Sequence, residues 1–276
     1  MPYDVDPAEF VDLLAPSMRQ AASIARALEG RVQNTPKTDE PTAVKQALTV
    51  ADTATQEAIL VPLLARFPGV ALEAEEDTET ARQFASTGPV RVVCDPIDGT
   101  LHSYLRGEGP YGVMVGLERA GRYDAALVAL PREGLFFDAV RGQGARLAKA
   151  GAEPAPVKLR ETGTRVLVSH GMPEAVFEEL RHSGWDPVPA CGGAVAVAPL
   201  IKGVRAGLRW GKAEEGVSIR GRIGLLVARE AGMHVRGLEL DSFPDDCSTF
   251  GEDLIVARDE ADLEALKAAL SARKSG

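Results

Sequence analysis

Histidine, cysteine and aromatic residues are scarce in this chain, and basic residues are outnumbered by acidic ones. The four histidines, His102, His170, His182 and His234, show no HxxxH spacing, and each reads as a surface or loop residue. The three cysteines, Cys94, Cys191 and Cys247, are odd in number and form no CxxC pair. That excludes a disulfide framework and a cysteine-rich zinc site, and it fits a reducing, cytoplasmic compartment. With 31 Lys and Arg against 40 Asp and Glu, the net charge is −9, and no basic stripe is visible. A nucleic-acid surface is therefore not expected, because phosphate backbones are bound by clustered cations. No window approaches the ~18 uninterrupted apolar residues of a spanning helix, and the N-terminal MPYDVDPAEF lacks a basic segment followed by an apolar one. No membrane partner is expected. What the 276 residues do supply is ample apolar material, with 28 glycines and 18 prolines spread through the chain as turns between short elements.

The stretch that organises the chain is Val92-Val93-Cys94-Asp95-Pro96-Ile97-Asp98-Gly99-Thr100. Val92 to Cys94 reads as a short buried strand, and two carboxylates follow at its exit. Pro96 fixes its own φ and keeps Asp95 extended, so the reading is a sharp turn on which Asp95, the Ile97 carbonyl and Asp98 converge. Such an oxygen-only donor set suits magnesium or manganese, whereas zinc would ask for His or Cys. Gly99 and Thr100 offer backbone N–H groups where a helix can begin, a seat for phosphate. Asp-Pro and Asp-Gly are also ordinary turn formers, and composition alone leaves a plain surface turn equally open.

Around this stretch the pattern is regular. Phe10, Leu14, Met18, Ala21, Ala25 and Leu28 give an apolar helical face from Pro7 to Leu28, with Gly30 as a stop and Pro16 as a kink or a later start. Residues 31–44 read as a polar loop carrying Lys37, with Lys45 just beyond it. A second helix runs to about Phe67, its Thr53 and Gln56 having capping-box spacing that places Asp52 just outside the helix start. Val70 to Ala74 is a short strand running into Glu75, Glu76 and Asp77, a charge run that is ordinarily a solvated turn. Segments 112–119, 123–130 and 134–141 read as an antiparallel meander. Residues 150–161 read as a linker. A strand follows at 165–169, a helix at 173–183, a small-residue helix and strand through CGGAVAVAPLIKGVRAGLRWG, a last strand at 253–257 and an amphipathic helix at 259–273.

DPIDGT resembles the signature of the inositol monophosphatase superfamily, the magnesium-dependent phosphatases of small phosphomonoesters. TVADTATQEAI, the Glu75-Glu76 segment, GLERAGRYDAALVALPREGLFFDAVRGQGARL and LLVAREAG are similar to further stretches of it. The resemblance implies an α/β fold, the layered α-β-α-β-α sandwich of the sugar phosphatases. Residues 1–150 would form an N-terminal lobe carrying the motif, and 151–276 a C-terminal lobe completing the pocket. It implies a magnesium ion, with manganese as a possible substitute, held by Glu75, Asp95, the Ile97 carbonyl and Asp98, with Glu76 placed behind these ligands. It further implies that Asp52 orients Thr100, that Thr100 positions the attacking water, and that Gly99 and Thr100 seat the phosphate. Asp52, Glu75 and Thr100 are thus the expected catalytic residues. The substrate expected is a small phosphorylated metabolite, an inositol phosphate or related sugar or cyclitol phosphate, and the state expected is a homodimer.

The chain departs from the resembled pattern at four places, the first being Leu101-His102-Ser103-Tyr104 and a slightly longer loop, RGEGP, where Thr-Asn-Phe usually follows the motif. Ala74 stands where glycine is usual. Gly193 and Ala194 fall in the substrate-shaping stretch, with Ala194 at a serine position. Arg220 falls where an aspartate would bind a second metal, and a guanidinium cannot ligate a cation. Glu214 or Glu215 would be a replacement oxygen donor. Alternatively Arg220 holds phosphate bidentately, or it faces solvent in a phosphatase-like binding or regulatory protein without efficient turnover.

Overall fold

A computed structural model describes residues 4–38, 40–158, 163–210, 216–238 and 242–271. The chain opens with helix α1 (Pro7–Leu28), whose N-cap Asp6 accepts from the Ala8 and Glu9 N–H groups and whose first position is Pro7. The helix runs on through Pro16. After the short α2 (Ala43–Gln46) comes α3 (Val50–Arg66), and both long helices turn an apolar stripe toward a seven-stranded sheet. That sheet takes its strands in chain order: β1 (Ala71–Ala74), β2 (Val90–Asp98), β3 (Gly112–Arg119), β4 (Arg122–Leu130), β5 (Leu135–Val140), β6 (Ala145–Lys149) and β7 (Ala155–Pro156). β1 pairs parallel with β2, and every later neighbour is antiparallel; short turns join β3 to β4, β4 to β5 and β5 to β6, whereas residues 99–111 connect β2 to β3.

The second half adds β8 (Arg165–Ser169), α4 (Glu174–His182), β9 (Asp186–Ala190), α5 (Gly192–Ala196), β10 (Val204–Trp210), α6 (Ile223–Glu230), β11 (His234–Arg236), β12 (Asp253–Ala257) and α7 (Glu260–Ser271). Its five strands form a second sheet in the order β11-β12-β10-β8-β9. Residues 159–161 of the expected linker, with residue 162 beyond it, lie outside the described residues.

Period-2 alternation explains the layering, because successive strand residues point to opposite faces. Along β4, Ala125, Leu127 and Ala129 join the core under α1 and α3, while Ala126, Val128 and Leu130 join the core under α5 and α6. Along β12, Leu254 and Val256 enter that same middle core, while Ile255 and Ala257 pack under α4 and α7. Both sheets are buried on both faces, so their strands read as nearly continuous apolar runs. The result is helices, sheet, helices, sheet, helices: the α-β-α-β-α sandwich expected from the sequence. No described helix is long and apolar enough to cross a membrane.

One local expectation is corrected. Pro96 does not end a short strand in a sharp turn; β2 continues to Asp98, and its pairing with β3 shifts register between Asp95 and Asp98. Proline has no N–H to give the ladder, so the irregularity falls where the ladder loses a donor.

Candidate active site

The parallel register of β1 and β2 assembles the first part of the site. Ala74 lies opposite Cys94, so Glu75, just past the end of β1, and Asp95, still within β2, come to the same end of the pair. β2 then delivers Asp98, and Gly99 takes φ +90°, a left-handed conformation that glycine adopts without penalty. A Cβ there would also come within 2.8 Å of the Cys191 Cβ. Gly99 opens a π-helical turn, Thr100–Leu105. From the second half of the chain, the Gly193 N–H donates to Asp98 Oδ2, fixing one carboxylate oxygen from the start of α5.

Asp52 enters from α3, though not as a residue outside the helix. Thr49 is the N-cap, and Asp52 is the third helical residue of a capping box, accepting from the Thr49 N–H and hydroxyl at 2.7 Å each. The capping box is Thr49-x-x-Asp52, one turn earlier than the Thr53/Gln56 pair suggested. This leaves Asp52 Oδ1 to meet Thr100, whose Oγ1 lies 3.0 Å from it and 2.8 Å from the Ile97 carbonyl. Asp52 is fully buried. Burial pushes its pKa up, the Thr49 and Thr100 hydrogen bonds oppose this, and Glu75 adds to the rise.

Asp95 is nearly sealed, and its Oδ1 is buried with no hydrogen-bond partner. Burial, then the charges of Glu75 and Asp98, raise its pKa well above the carboxylate range, against the pull of Arg220. An orphaned carboxylate oxygen among further carboxylates calls for a cation. The donors at hand are Glu75, Asp95, Asp98 and the Ile97 carbonyl, all hard oxygen, and they fit a magnesium-type ion. The half-buried Arg220 lies at the same place, Nη2 3.9 Å from Glu75 Oε1 and Nε 4.0 Å from Asp95 Oδ2. Burial works against its charge, but Glu75, Asp95 and Glu73 outweigh it, so the guanidinium stays protonated. It does not face away into solvent. Glu214 and Glu215 lie outside the described residues.

The Inositol monophosphatase family model matches residues 10–198, more than half the chain. The chain belongs to the inositol monophosphatase family. Among curated relatives, it is 37% identical over 98 residues to a histidinol-phosphatase of Chlorobaculum parvum, covering 36% of each protein. It is also 37% identical over 95 residues to a glucose-1-phosphate thymidylyltransferase of Streptomyces griseus, covering 34% of this chain and 35% of that one. The match thus spans about a third of each relative, and the two names differ in activity. Among solved structures, a Thermotoga maritima IMPase superposes with a TM-score of 0.73 at 17% identity, over 96% of this chain and 98% of that one.

Within this inositol monophosphatase fold, the structure adds residues that sequence reasoning passed over. The Gln56 amide grips Glu76 at two points, its Nε2 donating to the Glu76 carbonyl at 2.7 Å and its Oε1 accepting from the Glu76 N–H at 3.0 Å. Lys37, singled out on the polar loop by the sequence, is not simply solvated: it reaches the nearly buried Glu76 carboxylate at 2.7 Å. A signal for Gln56 was present, since Asp52, Thr55 and Gln56 continue the 3–4 spacing of Ile59, Leu60 and Leu63 on the buried stripe. Arg209, on β10, lies against Gly192 and Gly221, and its buried Nη1 has no hydrogen-bond partner. Gly193 gives its N–H to Asp98 as described, while Ala194 is fully buried, its N–H donating to Cys191 Sγ. The histidines are not all scattered: His102 and His170 stack with ring centroids 4.7 Å apart. The Cys94 and Cys191 thiols are raised by burial and stay protonated.

Proposed function

We propose that this chain is a magnesium-dependent phosphomonoesterase of a small phosphorylated metabolite, an inositol phosphate or a related sugar or cyclitol phosphate. The observation that carries this reading is the meeting of the buried Asp52–Thr100 pair with the orphaned Asp95 carboxylate at the exits of β1 and β2. Glu75, Asp95, the Ile97 carbonyl and Asp98 would hold the cation, which when bound polarises the phosphoryl group and acidifies a water. Asp52 holds the Thr100 side chain by accepting a hydrogen bond from its hydroxyl, and Thr100 in turn orients the attacking water in line with the leaving oxygen. The N–H groups of Gly99 and Thr100 bind phosphate oxygens at the start of the π-helical turn. Arg220 supplies a fixed positive charge beside Glu75 and Asp95, and its guanidinium can donate two hydrogen bonds to the phosphate. Gly193 contributes by holding Asp98 in place.

The position of Arg220 also supports a second reading, a phosphate-binding relative of the enzymes without efficient turnover. A panel of myo-inositol 1-phosphate, sugar phosphates, histidinol phosphate and a nucleoside bisphosphate, assayed for phosphate release with and without magnesium, separates the two. Histidinol phosphate belongs in the panel because one relative bears the histidinol-phosphatase name. The enzyme reading expects magnesium-dependent release from at least one compound. Its absence from all of them, in folded protein that still binds inorganic phosphate, establishes the binding protein instead.

A further inference from the structure

His102 and Glu108 lie on the turn and loop that follow Thr100, and His170 lies just past the end of β8 in the other sheet. Nothing in their sequence spacing joins them, yet the fold brings them into one cluster. His102 Nδ1 is 2.8 Å from Glu108 Oε2, and His170 Nε2 is 2.9 Å from the Ser103 hydroxyl. The two imidazoles stack with an interplanar angle of 16°. One potential ligand atom from each of His102, Glu108 and His170 falls within 4.8 Å of the other two.

The chemistry of this set differs from that of the oxygen-lined site. Two imidazoles and one carboxylate are poor hosts for magnesium, but they are the donor set of zinc and other first-row transition ions. Metal-binding imidazoles are held at their second nitrogen by a hydroxyl, a carboxylate or a carbonyl, and Ser103 offers that support to His170. Ser103 is itself anchored, its hydroxyl donating to the Glu108 carbonyl at 3.1 Å. Zinc bonds of about 2.0–2.1 Å place ligand atoms roughly 3.3 Å apart. The cluster must therefore tighten, and Glu108, the most exposed of the three at 44%, is the side chain able to swing inward.

We propose that His102, Glu108 and His170 form a site for a zinc-type divalent cation beside the turn that follows the DPIDGT segment, separate from the magnesium-type site. Three protein ligands leave at least one coordination position to water. A bound ion ties the loop after the DPIDGT motif to the second sheet, beside Gly99, where an added Cβ would come 3.2 Å from Ser103 Oγ. The site needs no turnover and stands whether or not the phosphatase reading holds.

The test uses the untagged full chain, stripped by chelation and returned to saturating magnesium, with cobalt(II) as the spectroscopic probe. The expected result is one cobalt per chain with visible d–d bands, displaced by one equivalent of zinc. His170→Ala and His102→Gln should each abolish the bands, and Ser103→Ala should weaken zinc binding about tenfold. Magnesium-dependent binding of inorganic phosphate, measured by calorimetry, should persist in His102→Gln. That variant alters a partly exposed side chain, and it carries the test if His170→Ala does not fold. Failure to retain cobalt in excess magnesium overturns the proposal, as does cobalt retained unchanged in folded His102→Gln. If magnesium-dependent phosphatase activity is absent while the cobalt bands obey these rules, the phosphatase reading alone fails.

Discussion

The guanidinium of Arg220 stands 4.0 Å from the Asp95 carboxylate, and the two residues lie 125 positions apart in the chain, 220 − 95. At that distance it is a counter-charge to the carboxylates and a donor still available to an incoming anion. Arg220→Ala should weaken inorganic phosphate binding by about 10–100-fold, from loss of hydrogen bonds to a charged group. Arg220→Asp should raise the number of divalent ions bound per chain. Calorimetric titration of phosphate and of magnesium checks both, and unchanged phosphate affinity in Arg220→Ala would show that the arginine serves only the carboxylates.

Asp52 and Thr100 act as a unit under the proposed mechanism. Asp52→Asn and Thr100→Ala should each lower kcat by about 10²-fold or more and leave KM nearly unchanged. Thr100→Ser keeps the hydroxyl and should recover most of the rate. Steady-state kinetics on whichever phosphomonoester is turned over decides this, and a Thr100→Ala variant with full kcat would remove Thr100 from the mechanism.

Gln56 holds both backbone polar groups of Glu76, and so sets the course of the chain at Glu75. Gln56→Ala should reduce magnesium affinity roughly tenfold, the scale of losing a group that orients a ligand. The melting temperature should fall as well, because the Glu76 N–H and carbonyl lose a buried partner. Magnesium titration of the variant against the parent provides the measurement.

The raised pKa of Asp95 gives metal-free protein a pH signature. A carboxyl group whose pKa is higher folded than unfolded binds protons more tightly in the native state, so its share of stability is present at low pH and lost as pH rises through the folded value. Asp95→Asn removes that loss. In the absence of divalent ions the variant should therefore gain in melting temperature relative to the parent as pH rises, and magnesium should narrow the difference by stabilising the parent. Thermal melts across pH, with and without magnesium, check the sign.

The layered fold was legible because both sheets are covered on both faces, which writes their strands as apolar runs broken by turn residues. The DPIDGT donors are nearly contiguous, yet composition leaves a surface turn equally open there, and it is the family resemblance that favours a site. The cap of α3 was misplaced by one turn because Thr49 and Thr53 offer equivalent local chemistry, and only Asp52's second bond, to Thr100, separates them. Nothing local on the chain links His102 to His170, because they meet across the two sheets, 68 positions apart. Arg209 gave no sign in the sequence, since its place against Gly192 and Gly221 depends on how β10 docks under α5.

β1 has only four residues, and beyond it Ala85 is joined by an isolated bridge to Ala71. Short strands at a sheet's margin open more readily than central ones. Glu75 hangs from the end of this strand, so excursions that detach it would dissolve the carboxylate cluster while the rest of the sandwich stays folded. Amide hydrogen exchange should then run faster in residues 71–74 than in residues 113–117, and a bound divalent ion should slow it selectively there. Ion affinity in this chain is in that sense a measure of how tightly one marginal strand is kept shut.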